Sequence, residues 1–298
     1  MRIATKDNVR VIAFLSEFTS VLTSKFPKGI DFILLFGSAA RGEFRAGISD
    51  VDLIIQVKNE SDMEMIETYS ESVFWKLDEK YKTRLAEICS TKQSDIFGSV
   101  EKSVKLYKPF EVIGPNHIDW KNCSITTPSL GVLASIAPAY QFAKKIKAEG
   151  KIIYGRNMLS EITVPFSFID KIKGAVIPIL ISIASILVCL PFPDKGLKYG
   201  LKAVLYSVDD QLYIIDSDYK KKAALNLHLL RSELGEYGSV RLAKEALYAK
   251  KNFDQIKKEW TYADKISFCG QALIFILYNN LLSFLRFFAK VLNRFPNR

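Results

Sequence analysis

Phe36-Gly37-Ser38-Ala39-Ala40-Arg41-Gly42-Glu43-Phe44-Arg45-Ala46-Gly47-Ile48-Ser49-Asp50-Val51-Asp52-Leu53-Ile54 is the stretch that decides how this chain is read. The run FILLF (32–36) that leads into it has the make-up of a buried strand, and it stops at a glycine. Glycine lets the backbone approach an anion closely, and the Ser38 hydroxyl adds a donor at the same point. A short helix begun at 38–41 would turn its free N–H groups and positive dipole end toward that anion. The next strand, VDLIIQV (51–57), opens with Asp50 and Asp52. Residues i and i+2 of a strand share a face, so both carboxylates project together. Two like charges this close repel unless a cation lies between them, and an all-oxygen donor set favours Mg²⁺. A phosphate cradle beside such a pair is what in-line nucleotidyl transfer requires.

Outward from this stretch the pattern is mixed. Val9, Ile12, Leu15, Phe18 and Leu22 recur with a helical period over 7–24, and Pro27-Lys28-Gly29 turns the chain before the first strand. An amphipathic helix is expected over 62–80, a third strand over TRLAEICS (83–90) and a fourth over FEVIG (110–114). Residues 128–149 turn helical again and end in Glu149-Gly150, before KIIYG (151–155). From about 165 the pattern is apolar helices alone, over 167–190, 197–208, 222–234, 239–250 and 261–292. The expected fold class is α+β, with a small mixed-sheet domain over 1–160 and an all-helical bundle over 161–298.

Composition agrees with two globular domains. The chain has 298 residues, 49% hydrophobic and 25% charged, which excludes disorder and fibrous repeats for its bulk. Its net charge is +10, of which residues 1–160 carry 22 − 19 = +3 and residues 161–298 carry 20 − 13 = +7. Polyanions are therefore favoured partners. Cys89, Cys123, Cys189 and Cys269 lie far apart, with no C-x-x-C, which suits a reducing, cytoplasmic setting. With only His117 and His228, a zinc site is not expected. The start, MRIATKDNVRVIAFLSEF, does not read as a signal peptide. Two stretches of twenty uncharged residues, Lys173 to Asp194 and Lys265 to Arg286, are long enough to cross a bilayer. Pro178, Pro191 and Pro193 shorten the first, and Gln271, Asn279 and Asn280 interrupt the second, so both are read as buried bundle helices rather than membrane spans. The aromatics Phe275, Tyr278, Phe284 and Phe288 are expected in the bundle core. An assembly of two copies is compatible with the sequence.

The pattern G-S-x11-D-x-D, with Ala40-Arg41-Gly42 after the serine and apolar residues around both aspartates, closely resembles the DNA polymerase beta-like nucleotidyltransferase superfamily, nearest its minimal and antibiotic-modifying branches. The likeness is clear over 32–57 and extends loosely to IKAEGKIIYGR (146–156). It implies ATP or another nucleoside triphosphate bound at Gly37 and Ser38; Arg41 beside them reads as a phosphate contact or a solvated helix residue. It implies two Mg²⁺ held by Asp50 and Asp52. It also implies a third carboxylate on a later strand, for which Glu87, between apolar neighbours in LAEIC, is the leading candidate and Glu111 the competitor. That carboxylate would complete the metal site or accept the acceptor's proton.

The resulting expectation is a transferase that moves a nucleoside monophosphate, AMP foremost, onto a hydroxyl of a small molecule, a tRNA or a protein, and releases pyrophosphate. An RNA-directed nucleotidyltransferase is the second reading. A non-catalytic nucleotide-binding or antitoxin-type module is the third. Lys198, Lys202 and Tyr206 share one helix face and read first as a polar surface, with a grip on triphosphate or acceptor as the alternative.

Overall fold

The apolar runs of the N-terminal half become strands, and the periodic stretches become the helices that cover them. The computed structural model describes residues 5–47, 49–85, 110–125, 138–217 and 223–293. The chain divides into two compact units, Met1–Pro165 and Phe166–Arg298.

In the first unit α1 (Lys6–Lys25) is capped by Thr5, whose hydroxyl accepts from the Asn8 N–H. It is followed by β1 (Ile30–Phe36), the short α2 (Gly37–Arg41), β2 (Asp52–Val57) and α3 (Met63–Tyr81). Then come β3 (Phe110–Ile113), the small ribbon β4 (Ile118–Asp119) and β5 (Ser124–Ile125), α4 (Ala139–Glu149) and β6 (Lys151–Gly155). Of the strand expected over 83–90, residues 83–85 are irregular and the remainder lies outside the described residues.

The sheet order is β3-β2-β1-β6, with β1 antiparallel to both β2 and β6, and β2 parallel to β3. Strand alternation sorts its side chains into two cores. On one face Ile33, Leu35, Leu53, Ile55 and Val112 meet α1 and α3, where Phe14, Phe18, Phe74 and Phe110 form an aromatic cluster with ring centroids 4.9–6.2 Å apart. On the other face Phe32, Leu34, Ile54 and Ile113 meet Ala143 and Ile146 of α4. Gln56, buried in this second face, accepts from the Trp120 indole at 2.9 Å and donates to Asp31 at 3.1 Å, which closes its polar needs. The fold is α+β, and among the described residues the strands are confined to the first unit.

The second unit holds α5 (Phe168–Cys189), α6 (Pro193–Ile215), α7 (Ala223–Leu234), α8 (Arg241–Lys251), α9 (Phe253–Glu259) and α10 (Tyr262–Asn293). Pro193 stands in the first turn of α6, where its missing N–H costs nothing. α6 is the centre of the bundle, and it runs past the 197–208 read from the sequence to Ile215, its last turns carrying the buried polar Asp210 and Gln211 that interrupt the apolar pattern. The buried Lys171 ammonium caps its C-terminal end, donating to the Tyr213 and Ile214 carbonyls at 2.6 and 3.2 Å, while the Tyr213 hydroxyl donates to Asp170 at 2.8 Å. α5 runs straight through Pro178, which does not shorten it: the proline is buried, and packing of the helix outweighs the lost backbone bond. The core expectation for the aromatics holds for Phe275 only in part of the set: Phe275 is buried and Phe284 half-buried, but Tyr278 and Phe288 are exposed.

Cys123, Cys189 and Cys269 are buried free thiols, and Cys89 lies outside the described residues. Burial pushes the Cys269 thiol up to about 12, against the smaller opposing pull of the Ser185 hydroxyl. An unfolded thiol ionises near ~8.5, so the stabilisation is whole below that pH and is lost as pH rises toward 12. Chemical denaturation from pH 8 to 11 should therefore show a steeper loss of stability in wild type than in Cys269→Ala, and the native Cys269 thiol should resist disulfide-exchange reagents at pH 8.

Candidate active site

The site forms where β1 runs out. At Gly37 the backbone takes φ +70°, a left-handed conformation that side chains resist, and the chain folds into the single turn of α2. That turn closes when the Gly42 N–H donates to the Ala39 carbonyl at 3.2 Å and the Glu43 N–H to the Ser38 carbonyl at 2.9 Å. Antiparallel pairing sets Phe36, the last residue of β1, opposite Asp52, the first of β2. The Asp52 carboxylate consequently lies over Gly37: a Cβ at that glycine would stand 1.9 Å from Asp52 Oδ2. The anion that needs the missing side chain is thus the chain's own aspartate.

Asp50 lies just ahead of β2 rather than within it. Its neighbour Val51 is fully buried with Leu53 in the core under α1 and α3, so the two aspartates flanking Val51 turn away from that core. Ser38 is buried, and its hydroxyl donates to the Asp50 carbonyl at 3.3 Å, fastening α2 to the approach to β2. Asp50 and Asp52 are both half-buried and so reachable from solvent.

The residue that sequence reasoning missed is Glu149, the last of α4. Its side chain is fully buried, one oxygen accepting from the Gly37 N–H at 3.2 Å and the other from Arg41 Nη1 at 2.6 Å. Arg41 also pairs through Nε with Glu43 at 2.9 Å. Arg41, expected to reach a phosphate, is instead drawn onto two carboxylates, because a buried glutamate requires a cation beside it. The available signal was the position of Glu149 one turn after Ile146, on the apolar stripe that runs through Ala143.

Glu111 lies in β3 opposite Ile54, which places it on the Asp52 face of the sheet, one strand over and two residues along, roughly 7 Å down the strand direction. Glu87 lies outside the described residues. Among the described residues no three His, Cys, Asp or Glu side chains gather closely enough to hold a metal ion. In the second unit Lys198 and Lys202 are half-buried and Tyr206 exposed on α6. A cavity of about 400 Å³ between α7 and α8 is lined by Leu227, His228, Arg231, Val240, Lys244 and Lys251, among others, and every charge in its lining is basic.

Residues 15–110, which hold the glycine-serine turn and the aspartate pair, match the family model of the nucleotidyltransferase domain. A solved structure, spectinomycin adenyltransferase AAD(9) from Enterococcus faecialis with ATP and spectinomycin, is similar at 13% identity, with 91% of this chain and 98% of that chain covered and a TM-score of 0.45. No curated protein matches the sequence.

Removing Glu149 should leave the largely buried Arg41 charge without the carboxylate that lies 2.6 Å from its Nη1. Glu149→Ala is expected to cost about 3 kcal/mol in urea denaturation. Combined with Arg41→Ala it should show a coupling of at least about 1 kcal/mol, and a coupling near zero would mean that the pair does not tie α4 to α2. Gly37→Ala should cost about 1–2 kcal/mol through the left-handed backbone alone, besides displacing Asp52.

Proposed function

We propose that the first unit binds a nucleoside triphosphate, ATP foremost, together with Mg²⁺, and transfers the nucleoside monophosphate to a hydroxyl of an acceptor, releasing pyrophosphate. The observation that carries this reading is the Asp52 carboxylate seated over the Cα of Gly37, at the point where β1 turns into α2.

The residues fit a magnesium site of the substrate-completed kind. Asp50 and Asp52 supply oxygen donors, and Mg²⁺ is ordinarily held by one or two carboxylates plus phosphate oxygens and water rather than by an all-protein cage. When bound, the cation supplies charge neutralisation at the transferring phosphoryl group and lowers the pKa of an attacking hydroxyl. Asp50 and Asp52 would hold it. The first-turn N–H groups of α2 beyond Gly37, whose own N–H is held by Glu149, would be the donors for phosphate oxygens, and the Ser38 hydroxyl would join them on leaving the Asp50 carbonyl. Glu149 and Arg41 act one layer further out, fixing the Gly37 peptide that orients this turn. The third carboxylate is Glu87 or Glu111, and the register of β3 supports Glu111 as a proton acceptor on the Asp52 face. The buried free thiols support a reducing compartment, the cytoplasm.

Asp50→Asn and Asp52→Asn should each abolish transfer of α-labelled nucleotide into a cell extract while the protein stays folded, and the rise in melting temperature given by Mg²⁺ and ATP should vanish. Turnover should fall about 10²–10⁴-fold in whichever of Glu87→Gln and Glu111→Gln removes the base, with ATP affinity within several-fold of wild type. Near-normal turnover in either aspartate variant overturns the assignment. Nucleotide binding without turnover on any acceptor would make the chain a binding module instead.

One observation favours an RNA acceptor as the second reading: the cation-lined cavity of the second unit, extended by a neighbouring one of about 390 Å³ that adds Arg241. If RNA phosphates bind there, Arg231→Ala and Lys244→Ala should each weaken an RNA mobility shift across sequences and lower its salt dependence by about one unit of slope. An unchanged shift would leave the small-molecule and protein acceptors.

A further inference from the structure

α5 and α10 are built with their polarity reversed. Their inner faces carry the buried Ser182, Ser185, Asn279, Asn280 and Ser283, while large apolar side chains face outward. On α10 the exposed large apolar residues of this stretch are Ile274, Leu277, Tyr278, Leu281, Leu285, Phe288 and Leu292. On α5 Val176, Leu180, Ile183 and Leu187, with Leu190 just past its end, are exposed in the same way. Leu281 and Leu187 are each 59% exposed and Leu292 72%, so these are not the edges of buried residues.

The two stripes run side by side. Asn280 Nδ2 donates to the Ala175 carbonyl at 3.0 Å, and the Phe168 ring meets those of Phe284, Phe287 and Phe288 with centroids 5.9–6.2 Å apart. These contacts make the helices antiparallel neighbours. Twelve large apolar side chains, each about half exposed, leave on the order of 1,000 Å² of apolar surface, against roughly 300–600 Å² for the largest patch of an ordinary monomer. A standard protein–protein interface covers about 800 Å² per partner.

Two features decide what covers it. One is area: the exposed apolar face reaches what a stable two-copy contact needs on each partner. The cations that bound the apolar stretch of α10 are also already satisfied within the chain: Lys265 pairs with Asp194 at 2.7 Å, and Lys290 with Glu233 at 2.8 Å, with Arg286 at 3.8 Å from the same carboxylate. They are not held out for anionic headgroups. We propose that the outer faces of α5 and α10 join two copies of this chain about a two-fold axis, four helices packing face to face. An isologous contact needs only a self-complementary patch, which a pair of antiparallel ridged helices provides.

Sedimentation equilibrium of the full chain, over micromolar to submicromolar concentrations, tests this. The expected result is a species of twice 33.8 kDa. Leu281→Glu and Leu187→Glu, both outward-facing, should each give the single-chain mass with unchanged helicity by circular dichroism. Should either variant lose helicity, Leu281→Cys and Leu285→Cys treated with a short bis-maleimide replace them, and a cross-linked pair at native helicity supports the interface. Three outcomes overturn it: a wild-type protein of single-chain mass that stays in solution, one that instead floats with phosphatidylglycerol vesicles, or a dimer that survives both glutamate substitutions.

Discussion

The buried carboxylate of Glu149 is the contact on which the N-terminal unit's site depends. It comes from the far end of the first unit, more than a hundred residues after the glycine-serine turn, yet it accepts the Gly37 N–H and holds the Arg41 guanidinium. Burying a charge there is costly, and the cost is offset only when both its oxygens are satisfied. That requirement fixes three things together: the peptide at the end of β1, the single turn of α2, and the C-terminal end of α4. A helix of five residues has no stability of its own, so its geometry is borrowed from these anchors.

The Gly37 backbone is then pressed from two sides, by Glu149 on its N–H and by Asp52 over its Cα. Two carboxylates converge on one residue, and Arg41 lies beside the first of them. A cation near the second would complete the same pattern of charge, which is the physical reason the proposed magnesium belongs at Asp50 and Asp52 rather than deeper under α4. The scaffold that holds this arrangement is ordinary: an aromatic-rich core under α1 and α3, and a second core under α4.

The helical unit follows a different logic. Its centre, α6, is buried by helices on several sides and tied down by the Lys171 ammonium at its C-terminal end. α5 and α10 spend their polar side chains inward and leave their leucines and isoleucines outside. As a single copy in water, a bundle with that distribution exposes the surface that should be driest. The same composition made both helices look like core elements when read as sequence, because hydropathy counts residues and not the face on which they fall.

What the sequence by itself determined is local. Strand alternation and helical period located β1, β2, β3, β6 and most helices, and the order and spacing of Gly37, Ser38, Asp50 and Asp52 carried the resemblance to the nucleotidyltransferases, because all four belong to two adjacent strands and the turn between them. What only the tertiary structure decided depends on partners distant in the chain. Arg41 looked like a phosphate ligand because its partner, Glu149, lies 108 positions away. Gly37 looked like room for a ligand, and is room for Asp52, because β1–β2 pairing is what brings the two together. Glu111 gained its place on the Asp52 face through the parallel register of β3 beside β2, a register set by which side chains fit the two cores and not by any spacing along the chain.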